Sequence, residues 1–96
     1  MFILVCYDVS TETKEGRRRL RRVAKTCKSY GQRAQKSVFE CKMNEKDFII
    51  MEKLLLDIID KKEDNLKLYI MDEISLKKIR NYGKNEVIDY EEPMII

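Results

Sequence analysis

Asp8 is the first carboxylate of the chain, and it ends an apolar run, Met1-Phe-Ile-Leu-Val-Cys-Tyr-Asp8. A carboxylate at that place has two chemistries open to it. It can order a turn or cap a following helix, or it can hold a divalent cation through oxygen. The chain has no His, which excludes Ser-His and Cys-His catalysis and any His general base. Hydrolysis by this chain must therefore rest on carboxylates, metal ions, Lys or Tyr. Cys6, Cys27 and Cys41 are far apart and form no Cys-x-x-Cys pair. They read as small buried thiols of a reducing cytosol, not as a zinc site.

The second chemical signal is a block of cations. From Lys14 to Lys36 there are ten basic residues and one acid, Glu15, whereas the rest of the chain carries ten basic and sixteen acidic residues. Such asymmetry suits a polyanion partner. Six of the seven arginines fall in the block, and the guanidinium fork matches phosphate oxygens. The competing reading is a solvated helix face. Against it, acidic i+4 partners are almost absent from Arg17 to Lys28, so these charges are not placed for intrahelical ion pairs. Arg17, Arg18, Arg21, Arg22, Lys25 and Arg33 are the candidate nucleic-acid contacts. Tyr7 and Phe39 offer rings for base stacking, but strand aromatics more often sit in the core.

The elements that must position these residues follow from periodicity. Ninety-six residues, 44% apolar and 39% charged, make one soluble globular domain. No apolar run approaches the roughly 20 residues that cross a bilayer, and no signal peptide is evident, so a cytoplasmic protein without a membrane partner is expected. Met1 to Asp8 predicts a strand buried on both faces. Ser10, Thr11 and Thr13 offer N-caps for a helix over about 13–29, with Leu20, Val23, Ala24 and Cys27 as its core stripe. Gly31 is the predicted stop. Two short strands follow, broken near Lys36. Asn44 caps a second helix expected to reach about Lys62, with Phe48, Met51, Leu55, Ile58 and Ile59 inward. Ile49, Ile50, Leu54 and Leu56 widen its apolar surface beyond one core face, which suggests a subunit contact. Leu66, Leu68 and Ile70 alternate as a half-buried strand. A short amphipathic turn (74–79), a strand over 86–90 and an apolar tail, Met94-Ile-Ile96, complete the chain. The order is that of an α+β, ferredoxin-like βαββαβ sandwich with an additional C-terminal strand. Its open sheet face is most simply covered by a second copy, as a homodimer.

Leu4-Val-Cys-Tyr-Asp-Val9, the Arg-rich first helix and Tyr30-Gly-Gln-Arg-Ala-Gln-Lys-Ser-Val-Phe-Glu40 together resemble the CRISPR-associated protein 2 family. Gln-x-Ser-Val-Phe-Glu at Gln35 to Glu40 is the most specific phrase. Asp64-Asn-Leu-Lys-Leu-Tyr69 is similar to the start of that family's fourth strand, and the likeness thins after Ile79. The resemblance implies a single domain over 1–96, with 81–96 as an extension exchanged with the partner subunit. It also implies that Asp8 faces its twin near the dimer axis and shares a divalent metal there. Paired carboxylates repel unless they share a proton or a cation, and oxygen ligands suit Mg²⁺ or Mn²⁺. On this reading Asp8 is both metal ligand and catalytic residue of an Mg²⁺-dependent endonuclease in CRISPR adaptation, cutting RNA or DNA. One alternative is a non-catalytic scaffold that grips a DNA duplex and bridges the CRISPR integrase subunits. Another is a toxin-like messenger-RNA nuclease.

Overall fold

The computed structural model describes residues 1–84, with backbone alone at 75 and 76. The strand expected over 86–90 and the apolar tail lie outside the described residues. Within them the order is β1 (Phe2–Asp8), α1 (Lys14–Tyr30), β2 (Gln32–Gln35), β3 (Val38–Lys42), α2 (Glu45–Ile58), β4 (Asn65–Met71) and a single turn, α3 (Glu73–Leu76). The four strands form one antiparallel sheet in the order β2-β3-β1-β4, which is the expected α+β, ferredoxin-like arrangement. Among the described residues no helix is long and apolar enough to cross a membrane.

The core lies between the two helices and one face of the sheet. Ile3, Val5 and Tyr7 of β1 meet Phe39 and Cys41 of β3, Val23 and Cys27 of α1, and Phe48, Met51 and Leu55 of α2. Leu20, Ile58 and Ile59 pack against this cluster from its margin, as the 3.6-residue spacing predicts. β1 is not buried on both faces, however. Leu4 and Cys6, which point away from the helices, are only half-buried, because one helical layer covers one side of a sheet and leaves the other open. On α2, Ile49, Ile50, Leu54 and Leu56 are exposed.

Local chemistry sets the boundaries. The Thr13 hydroxyl accepts from the Gly16 amide at 3.0 Å, and the Asn44 side chain accepts from the Asp47 amide at 2.8 Å, so both helices start on their predicted caps. α1 does stop at Gly31, but in extended backbone, not the left-handed form (φ −164°, ψ −161°). Glycine is required there for space: a Cβ would stand 2.3 Å from the Glu40 carbonyl oxygen. α2 ends at Ile58, short of Lys62. Asp60 folds the chain back there, its carbonyl accepting from the Glu63 and Asp64 amides and its carboxylate from the Lys62 amide.

Candidate nucleic-acid interface and strand-end carboxylate

β1 runs between β3 and β4, and its end is tied to β4 by its last residue and to the β2–β3 turn by the residue before it. Asp8 faces Asn65 across the β4 ladder, and the amide of Tyr7 donates to the Ser37 carbonyl in the β2–β3 turn at 3.1 Å. The Asp8 carboxylate itself is exposed. Among the described residues it makes no hydrogen bond or ion pair. The cap and turn roles open to it in the sequence are filled by other groups, Thr13 at the helix start and Asp64 on the amide of Ser10. Asp8 is thus an anchored backbone carrying an uncommitted carboxylate.

That carboxylate suits a hard cation, but one chain alone does not make a complete site. Among the described residues no group of three or more His, Cys, Asp or Glu side chains converges, and Mg²⁺ usually takes one or two carboxylates plus waters and phosphate oxygens. The remaining donors would have to come from water, from a phosphate or from a second chain.

α1 presents the cations. Arg17, Arg18, Arg21, Arg22 and Lys25 are exposed, on a helix anchored by Val23 and Cys27. Arg17 also donates to the Thr11 carbonyl at 3.1 Å, which steadies the turn before the helix. Arg19 is turned inward and donates to Asp64 from Nε at 2.8 Å and from Nη2 at 3.3 Å. It is therefore a structural cation within an otherwise exposed cationic row.

Arg33 does not join that row. It sits on β2 opposite Phe39, half-buried, with its guanidinium 5.1 Å from the centre of the Phe39 ring and a buried Nε that has no hydrogen-bond partner. Tyr7 and Phe39 stack on each other, with centroids 6.3 Å apart. They are 5% and 1% exposed, so both rings occupy the core, the place the sequence favours for them over base stacking, and in this conformation no base can reach either ring. Burial pushes the Tyr7 phenol up and the Arg33 charge pulls it partly back. Its hydroxyl donates to the Lys36 carbonyl at 3.3 Å and so ties β1 to the hairpin tip beside Asp8.

Two groups escaped the sequence reading. Glu40 is 4% exposed, its Oε1 has no hydrogen-bond partner, and burial pushes its carboxyl up. The alternation of Val38 with Glu40 placed it on the face away from Phe39, but nothing in the pattern foretold its burial. Asp64 is the other, a fully buried carboxylate inside a stretch that reads as a polar surface loop. Burial alone would push it up. Hydrogen bonds from Arg19 and from the amides of Asp60 and Ser10 outweigh that and hold it below the usual carboxylate range.

Comparison with known proteins agrees with this architecture. The family profile of CRISPR associated protein Cas2 matches residues 1–79. A relative from Moorella thermoacetica, a CRISPR-associated endoribonuclease Cas2, is 50% identical over 96 residues, covering all of both chains. A CRISPR-associated endonuclease Cas2 from Halalkalibacterium halodurans is 39% identical over 95 residues, 99% of each chain. The crystal structure of Streptococcus pyogenes Cas2 at pH 6.5 superposes with a TM-score of 0.77 at 44% identity, covering 86% of this chain and 100% of that one. With the βαββαβ order, the strand-end acid and the family match in agreement, this chain belongs to the CRISPR associated protein Cas2 family.

Proposed function

We propose that the protein is a metal-dependent endonuclease of CRISPR adaptation that acts in the cytoplasm as a homodimer on RNA or DNA. The observation that carries this reading is the Asp8 carboxylate: exposed, without a partner among the described residues and at the end of a central strand. Relatives of 39–50% identity that bear the names endoribonuclease and endonuclease support it. The two Asp8 side chains of a dimer would hold one Mg²⁺ or Mn²⁺. When bound, such an ion supplies Lewis-acid chemistry, lowering the pKa of water and neutralising charge on a phosphoryl oxygen. Arg18, Arg21, Arg22 and Lys25 bind the flanking phosphates and orient the backbone without reading its sequence. Arg17 contributes from the start of the same helix.

The test is cleavage of single-stranded RNA and of duplex DNA by wild type and Asp8→Asn, each with Mg²⁺, with Mn²⁺ and with chelator. Metal-dependent cleavage of either substrate by wild type, reduced at least about a hundredfold in Asp8→Asn while binding persists, is the expected result. Equal cleavage by both proteins would contradict it.

The scaffold reading has one observation in its favour. The exposed cations of α1 lie on a different element from Asp8, and contacts from arginine and lysine to phosphate need no metal. In that case the protein grips DNA while a CRISPR integrase subunit does the chemistry. Spacer insertion in cells carrying Asp8→Asn would then proceed at the wild-type frequency.

A further inference from the structure

The loop that leaves Asp8 is held at Ser10 and at Thr11 before α1 begins. The amide of Ser10 donates to Asp64 Oδ1 at 3.1 Å. The Ser10 carbonyl presses on the first turn of α1 so closely that a Cβ on Gly16 would stand 2.0 Å from its oxygen. The Thr11 carbonyl accepts from Arg17. Asp64 also accepts from Arg19 through both carboxylate oxygens and from the Asp60 amide at 2.9 Å. This single buried carboxylate joins the β1–α1 loop, the α1 helix and the turn before β4. Its neighbour Asn65 is the residue that faces Asp8 across the ladder.

We infer that Asp64, held by Arg19, is a positioning residue for Asp8. It fixes the loop after Asp8 and the strand beside Asp8 relative to each other, and thereby sets where the Asp8 carboxylate is presented. The inference rests on the proposed reading of Asp8 as the metal ligand. A merely stabilising salt bridge needs no bond to Ser10. Two of the three residues that donate to Asp64, Ser10 and Arg19, lie on the loop that leaves Asp8 and on the helix that carries the exposed cations, which is the arrangement expected of outer groups that orient a ligand.

The test uses the full-length chain with Asp64→Asn, with Asp8→Asn as the reference, Mn²⁺ as the probe ion and a temperature at which every variant is folded. Mn²⁺ affinity is read by electron paramagnetic resonance, the Ser10 amide by hydrogen exchange, and binding and cleavage with one oligonucleotide. Asp64→Asn is expected to weaken Mn²⁺ binding and lower kcat by about tenfold each, to speed Ser10 exchange, and to leave oligonucleotide Kd within about twofold. Wild-type Mn²⁺ affinity and kcat in a folded Asp64→Asn would overturn the inference and leave the clamp a stability role only. Wild-type Mn²⁺ affinity in Asp8→Asn would remove the reading beneath it, whatever Asp64→Asn does. Should Asp64→Asn fail to fold, Arg19→Lys keeps the charge and loses the fork. Weaker Mn²⁺ binding in that variant supports the clamp, and unchanged binding overturns it.

Discussion

Arg19 and Asp64, forty-five residues apart, meet in a two-point ion pair of 2.8 and 3.3 Å, with the Asp64 side chain fully buried. The carboxylate lies below its ordinary pKa in the folded protein. Its contribution to stability is therefore complete above the unfolded-state value near 3.9 and is lost as pH falls through the folded-state value. Urea unfolding of wild type and Asp64→Asn is expected to show a stability gap at pH 7 that narrows progressively as pH falls below about 4. A gap of constant size across that range would contradict the assignment.

The row on α1 predicts a salt-dependent affinity. A dimer that touches about six phosphates gives a slope of log K against log salt near −5. Alanine at Arg18, Arg21, Arg22 or Lys25 frees roughly one phosphate per chain, so it flattens the slope by about 1 for each phosphate freed and weakens all sequences alike. Arg19→Ala, by contrast, changes stability and leaves the slope nearly unaltered, because that guanidinium is already committed to Asp64. Anisotropy titrations at four or five salt concentrations separate the two outcomes.

α2 carries a sharp division between faces. Leu55 and Met51 are fully buried while Leu54 and Ile50 are exposed. Leu55→Ala should cost about 2–5 kcal/mol. Leu54→Ala should stay within about 0.5 kcal/mol unless another protein covers that face. Chemical denaturation at low protein concentration measures both.

The thiols report on burial and on the open face of the sheet. Burial pushes Cys27 and Cys41 up to about 12, so both stay protonated and unreactive at pH 8. Cys6 is half-buried on the uncovered face, its thiol pushed up by burial and pulled partly back by Lys67. Alkylation of the native protein should modify Cys6 alone, and all three after denaturation. If a second copy covers that face, Cys6 becomes protected as protein concentration rises through the dimer dissociation constant.

Much of this was legible in the chain. Phe48, Met51 and Leu55 announce the buried face of α2 by spacing alone. Asn44 announces its cap, and the apolar run ending in Asp8 announces a central strand. Where the sequence misled about burial, at Asp64 and Arg33, partners distant along the chain decide it; where it misled about the end of α2, a local turn does. Asp64 reads as loop because its four donors come from residues 10, 19 and 60. Arg33 reads as one more cation of a basic block, yet the hairpin places it over Phe39, away from the α1 row. α2 falls short of Lys62 because the Asp60 turn competes with helix for the same amides, a contest that composition cannot score.

The central claim is that two copies of Asp8 share one ion. Titration of Mn²⁺ into the purified protein, followed by electron paramagnetic resonance, tests it most directly. One tightly held ion per two chains in wild type, lost in Asp8→Asn with the dimer intact, is the predicted result. An ion retained by Asp8→Asn, or one ion bound by each separate chain, would contradict it.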